Sequence, residues 1–208
     1  MSDTYYSIAQ ATSGSYREKA SKFIALAFPV STEEEVRIRL ENVRKEYHDA
    51  NHHCFAYRLG NEQPIYRFND DREPSGSAGK PIYGQILSKN LSDILVIVIR
   101  YFGGTKLGIP GLIRAYRTAA REAIEAAVIT EKVVEDQLTL NFPYRGLNEV
   151  MTILKEHHVR ILAKKIEQEC MILCAFRKDH MEKIRGQLMR ITNLSISLHS
   201  QKTAHISI

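Results

Sequence analysis

The 208 residues contain three cysteines, Cys54, Cys170 and Cys174, and no CxxC pair. So small and scattered a set gives no disulfide framework, and a reducing, intracellular setting is the simpler expectation. The first residues, Met-Ser-Asp-Thr-Tyr-Tyr, show no basic stretch followed by an apolar one, so no secretory leader is expected. Apolar runs such as Ile94–Ile99 fall far short of the roughly 20 residues that span a bilayer. The chain therefore reads as a cytoplasmic protein with no membrane association. Low-complexity tracts are absent, and 44% hydrophobic with 25% charged residues is an ordinary globular composition. A formal charge of +5 is mild. It accommodates nucleic acid, an acidic protein surface or a charged small molecule, and requires none of them.

Acidic residues are missing altogether from Ile94 to Arg121, while Arg100, Lys106, Arg114, Arg117 and Arg121 fall inside that stretch. It begins as a continuous apolar run, which predicts a buried strand. Gly103-Gly-Thr-Lys-Leu-Gly-Ile-Pro-Gly111 follows as a loop, and a long helix starts at once. Unsatisfied N–H groups at a helix start, four glycines (Gly103, Gly104, Gly108, Gly111) and concentrated positive charge combine into an anion site. Pro110 suits the first helical position, where its missing N–H costs nothing. The loop lacks GK[ST] and lacks GxGxxG, so no nucleotide-binding motif is present. At 100° per residue Arg114, Arg117 and Arg121 lie within about 60° of one another, and Tyr116 falls on the opposite, inward side. The alternative for that stripe is a solvated face, with Arg121 pairing to Glu125.

Elsewhere the pattern alternates between strands and helices. Lys22–Val30 predicts a strand, and Ser31 with Glu34 a capping box for a helix carrying Val36, Leu40, Val43 and Tyr47. Strands follow over His53–Leu59 and Ile65–Phe68, then a polar loop from Asn69 to Gly79 and a helix from Lys80-Pro81 to Ser88. After Val128 the rhythm changes to β-α-β-β-α-β, the ferredoxin-like order, beginning with Leu138, Leu140 and Phe142. The expectation is α+β throughout, with an N-terminal domain over 1–133 and a C-terminal one over 134–208.

Asp70, Asp71 and Glu73 place three carboxylates in one loop, able to serve as acid and base or to hold Mg²⁺. The commoner use of an acidic turn is solvation. Ser75, Ser77 and Lys80 follow them in Gly76-Ser-Ala-Gly79-Lys80 fashion, resembling a phosphate loop, but Pro74 and Pro81 break Walker A at both ends. With His52 they make a candidate pocket. His52 and His53 are adjacent on a strand and point to opposite faces, so they cannot share a metal ion. Cys170 and Cys174 lie on one strand face with Ile172 and Phe176 and read as core. No metal, cofactor or nucleophilic cysteine is expected.

Three segments carry a resemblance: His48-Asp-Ala-Asn-His-His-Cys-Phe-Ala-Tyr57, Asp70-Asp-Arg-Glu-Pro-Ser-Gly-Ser-Ala-Gly-Lys-Pro81, and Arg100-Tyr-Phe-Gly-Gly-Thr-Lys-Leu-Gly-Ile-Pro-Gly-Leu-Ile-Arg-Ala-Tyr116. Together they resemble the IMPACT/YigZ family over essentially the whole chain. The resemblance implies an N-terminal fold like the second domain of ribosomal protein S5 and a C-terminal domain similar to those at the end of elongation factor G. It implies, too, a link to translational regulation, since eukaryotic relatives bind a ribosome-associated protein in competition with a kinase of an initiation factor. This chain departs from the family at three places. Arg72 stands where glycine is usual, and its Cβ opposes a positive φ there. Pro110 replaces another glycine and removes an N–H, and Asn51 replaces an arginine.

The leading expectation is a non-enzymatic, translation-associated protein binding RNA or a ribosome-bound partner. Arg100, Lys106, Arg114, Arg117 and Arg121 would contact phosphate, and the C-terminal sheet would add a second surface. One rival is an enzyme on a small phosphorylated or acidic substrate, using Asp70, Asp71 and Glu73. The other is a protein-interaction module without nucleic-acid affinity.

Overall fold

The computed structural model describes residues 4–177, 181–191 and 193–206. It is a mixed α/β structure with two antiparallel sheets and, among the described residues, five α-helices. The chain divides into two compact units, Tyr5–Glu131 and the segment from Lys132 onward.

In the first unit the chain runs β1 (Thr4–Ile8), β2 (Thr12–Glu18), β3 (Ser21–Pro29), α1 (Glu33–Glu46), β4 (His52–Leu59), β5 (Ile65–Asn69), α2 (Gly79–Ser88), β6 (Ile94–Tyr101) and α3 (Gly108–Glu125). Its sheet is ordered β2-β3-β6-β4-β5, every neighbour antiparallel. The apolar run of β6 is explained by its central place, with a covered face on either side. Val96 and Val98 pack under α2 and α3, while Leu95, Ile97 and Ile99 meet Val36 and Val43 of α1. Alternation along one strand thus feeds two cores. The end of β6 lies beside the start of β4, with Arg100 opposite His52.

Sequence patterning did not give β1 and β2. Gly14, in the middle of β2, argues against a strand by propensity. A Cβ there would sit 2.4 Å from Ala123 N, so the glycine is what lets α3 lie directly on the strand. β1 is held by side chains that pattern does not reveal: Tyr5 Oη donates to the Asp93 carboxylate, and Ser7 Oγ to Asp93 O at 3.0 Å. The cap of α1 is one residue later than expected. Thr32 Oγ1 accepts the Glu35 N–H at 3.1 Å, and Glu35 Oε2 accepts the Ser31 N–H at 2.6 Å.

The second unit contains most of β7 (Ile129–Pro143), then α4 (Leu147–Glu156), β8 (Arg160–Lys165), β9 (Glu169–Arg177), α5 (Met181–Leu188) and β10 (Ser195–Ile206). Its strands lie in the order β10-β7-β9-β8. Leu138, Leu140 and Phe142 join Cys170, Ile172 and Cys174 under Val150, Leu154, Ile184 and Leu188 of the two helices. All three cysteines are buried and unpaired. Among the described residues no helix is long and apolar enough to cross a membrane.

Candidate functional site

Arg100 ends the apolar run of β6 and, sharing a face with Val98, turns its guanidinium under the helices, where only 6% of the side chain is exposed. A buried cation is costly unless paired and hydrogen-bonded. Glu73 answers it, with Oε1 2.6 Å from Arg100 Nη1, and Tyr116 Oη donates to the same oxygen at 2.8 Å. The rings of Phe23 and Phe102 lie 5.5 and 5.4 Å from Arg100 Cζ, within cation–π range. His52 Nε2 stands 3.7 Å from Glu73 Oε1, and Cys54 Sγ lies 3.4 Å from Tyr116 Oη. Burial pushes the Tyr116 phenol far up, reinforced by Cys54 and Glu73, and burial likewise raises the Cys54 thiol. Both stay protonated, so Cys54 is no nucleophile.

The Asp70–Gly79 loop delivers Glu73 to this cluster. Asp70 accepts three backbone N–H groups, from Gly76 at 2.9 Å, Ala78 at 3.0 Å and Gly79 at 2.8 Å. It thereby bends the loop into the start of α2. Asp71 Oδ2 accepts the His53 N–H at 2.6 Å, and Asp71 O lies 2.8 Å from His52 Nδ1. Asp71 and Arg72 have φ of 39° and 72°, and the Glu73 N–H donates to Asp70 O at 2.9 Å. That is the pattern of a type I′ turn. The expectation that Arg72 keeps out of positive φ is therefore overturned: the turn is imposed by Asp70, Asp71 and Glu73, and Arg72 is carried into it. Its guanidinium donates to Asn51 O at 3.2 Å. The three carboxylates do not converge, and among the described residues no cluster of metal-ligating side chains forms.

The glycine loop is built for packing as much as for ligand approach. A Cβ on Gly103 would lie 2.1 Å from Ala20 C, so the β2–β3 turn presses against it. The Gly103 N–H donates to Ser21 Oγ at 3.1 Å. Gly108 begins α3 with φ 71°, which glycine adopts without strain. Pro110 comes two residues later, still within the first turn. Neither a side-chain cap nor an acidic residue serves the first turn of α3.

Between the start of β4, the Glu73-Pro74 corner and the start of α3 lies a cavity of about 500 Å³. Asn51, His52, Glu73, Arg100 and Lys106 give it a polar wall; Pro74, Phe102, Leu107, Ile109 and Leu112 give it an apolar one. Residues from all three sequence motifs meet here. Of the expected pocket group only His52 lines it. Ser77 is buried and donates to Pro74 O at 2.6 Å, while Ser75 and Lys80 are exposed elsewhere on the loop and helix. Sequence reasoning passed over Asn51 and Phe102 as site residues. Asn51 Oδ1 accepts the Phe102 N–H at 2.8 Å, and its own N–H donates to Arg100 O at 3.0 Å. The only signal was that Asn51 departs from the family pattern.

Arg114, Arg117 and Arg121 lie outside the cavity on the exposed side of α3. Arg114 pairs with Glu18, and Arg121 approaches Glu122 at 3.2 Å and Glu125 at 3.9 Å. Tyr116 faces inward, wholly buried.

The Impact N-terminal domain model matches residues 19–124, which span the cavity, the glycine loop and nearly all of α3. The chain belongs to the IMPACT family. It is 33% identical to the IMPACT family member YvyE of Bacillus subtilis, over 75% of this chain and 72% of that protein. With the IMPACT family member YigZ of Escherichia coli it shares 28% identity over 86% of this chain and 89% of the other. A crystal structure described only as that of a hypothetical protein is 25% identical, superposes with a TM-score of 0.74, and covers 97% of this chain and 100% of its own. Matches extend to IMPACT homologues of Dictyostelium discoideum and Saccharomyces cerevisiae.

Proposed function

We propose that the protein is a non-enzymatic member of a translation-related regulatory family that engages RNA through a basic face centred on α3. One observation carries this reading: exposed cations from three segments are gathered on one side of the first unit. Arg114 and Arg117 are exposed on α3, and Lys106 on the loop before it. The β2–β3 turn, with exposed Lys19, is brought alongside by the Gly103 contact and the Arg114–Glu18 pair. Exposed ion pairs contribute little and yield readily to a stronger anion, so Arg114 remains available to phosphate. Arg100 does not belong to this face, being committed to Glu73.

The strand order β10-β7-β9-β8 supports the ferredoxin-like reading of the second unit, and the S5-like reading of the first rests on the family resemblance. Both folds recur in RNA-binding translation proteins, an analogy of fold and not of mechanism.

The test is an anisotropy titration of labelled single-stranded and structured RNA at two salt concentrations, with Arg114→Ala/Arg117→Ala/Arg121→Ala alongside wild type. Wild-type affinity should fall steeply with salt, and loss of three phosphate contacts should flatten the slope by about 2 on single strands. Salt-insensitive binding, or a triple variant indistinguishable from wild type, would refute the reading.

A protein partner is the second reading, favoured by β5. Ile65, Tyr66 and Phe68 are exposed on this edge strand, which among the described residues pairs only with β4. An open edge with apolar side chains is a template for strand addition. Nuclease-resistant capture abolished by Tyr66→Glu would favour it.

A further inference from the structure

We propose that the cavity at the start of α3 is a binding site for a small organic anion, a phosphate or carboxylate head group carrying a compact apolar body. Its volume of about 500 Å³ is within the range of small-molecule sites. The inference lies beyond RNA binding at the arginine face, because Arg114 and Arg117 do not line the cavity.

Charge selects the head group. Arg100 and Lys106 line the cavity with a single carboxylate, Glu73, and Glu73 is already bonded to Arg100 and Tyr116. Lys106 is exposed and makes no ion pair among the described residues. Gly108 and Ile109, in the first turn of the 18-residue α3, also line the cavity. Their N–H groups have no intrahelical acceptor, and the dipole of the helix places partial positive charge at this end. An independent observation points the same way. Arg100 lines the cavity with 6% of its side chain exposed, yet its Nε has no hydrogen-bond partner. A guanidinium donor left unmatched in a buried setting is costly; this Nε is closed to solvent, so it adds to the positive field of the wall and does not itself touch an entering head group.

The apolar wall selects the body. Phe102 is 46% exposed and Ile109 53% exposed, unusual for large apolar side chains at the rim of a concave surface. A ring or branched alkyl group resting between Phe102, Ile109 and Leu112 removes that surface from water while its head reaches Lys106. Neither wall alone defines the ligand; their opposition does.

Isothermal titration calorimetry on the full chain, with phenyl phosphate, benzoate and inorganic phosphate as probes, tests the assignment. At least one aromatic probe should bind with a Kd of about 1 mM or tighter, and inorganic phosphate at least about tenfold more weakly. Whichever aromatic probe binds better identifies phosphate or carboxylate as the head group. Lys106→Ala should weaken that probe by at least about tenfold. Ile109→Trp, at an exposed position on the rim, should abolish binding without lowering the melting temperature. Arg114→Ala/Arg117→Ala should bind as wild type does. No binding of either aromatic probe at about 1 mM overturns the proposal, as does undiminished binding by Ile109→Trp. Inorganic phosphate binding as tightly as phenyl phosphate would remove the apolar half of the argument and overturn it equally.

Discussion

Arg72 occupies a backbone conformation that its own side chain opposes. A left-handed φ costs a non-glycine residue about 1–2 kcal/mol, and the hydrogen bond to Asn51 O is exposed and returns only part of it. The neighbours hold the turn: Asp70 is anchored by three N–H groups, Asp71 by the His53 N–H, and Glu73 by Arg100. Asp-Gly is the favoured pair for a type I′ turn, and the family's usual sequence supplies it. Arg72→Gly should therefore stabilise the protein by about 1 kcal/mol, raising the melting temperature by roughly 2–4 °C. Calorimetry showing an unchanged or lower melting temperature would mean that the Asn51 contact outweighs the strain. The sequence signalled Arg72 as a departure but not the consequence, because a turn's conformation is set by the partners of its flanking residues. The same holds for Asp70, whose three acceptor bonds to backbone shape the loop that delivers Glu73.

At the level of elements, long periodic segments were legible and short or glycine-bearing ones were not. β6 and α3 followed from an unbroken apolar run and from the inward alanines, and α1 from its 3.6-residue spacing. β2 did not, since Gly14 is needed by a helix more than a hundred residues further along. The glycine loop read as an anion cradle, whereas Gly103 serves first as the place where the β2–β3 turn makes contact. Gly103→Ala tests this. A methyl group 2.1 Å from Ala20 C and 2.3 Å from Ser21 N meets backbone that must move. The substitution should destabilise the protein by about 1–3 kcal/mol in urea unfolding. It should also weaken RNA binding, because Lys19 would no longer be held beside Arg114. Stability within about 0.5 kcal/mol of wild type would show the turn to be freely displaceable.

For the molecule as a whole, burial of phenols and thiols sets the response to alkali. Burial raises Tyr57 to about 12 and Cys174 to about 11, and pushes Tyr5, Cys54 and Tyr116 higher still. Their unfolded values are 10.0 for the phenols and 9.0 for the thiols. Below about pH 9 these groups hold their protons in both states, so the stability they lend is complete. Above it the unfolded chain ionises first, and stability is lost as pH rises toward the folded values. The urea midpoint should accordingly fall from about pH 9 upward, most steeply between about pH 9 and about pH 11, with the three thiols becoming reactive to a disulfide reagent only through unfolding. A flat midpoint over that interval would contradict the buried placement.

The central position of β6 also bears on how the chain is made. Its partners β3 and β4 end at Pro29 and Leu59, but β6 begins only at Ile94. Ribosomal synthesis at about 5–20 residues per second leaves β3 waiting some 3–13 s for the strand that joins it to the rest of the sheet. During that interval Phe23, Leu26 and Phe28 lack the strand that completes both of their cores, and these side chains stay exposed until β6 has left the exit tunnel.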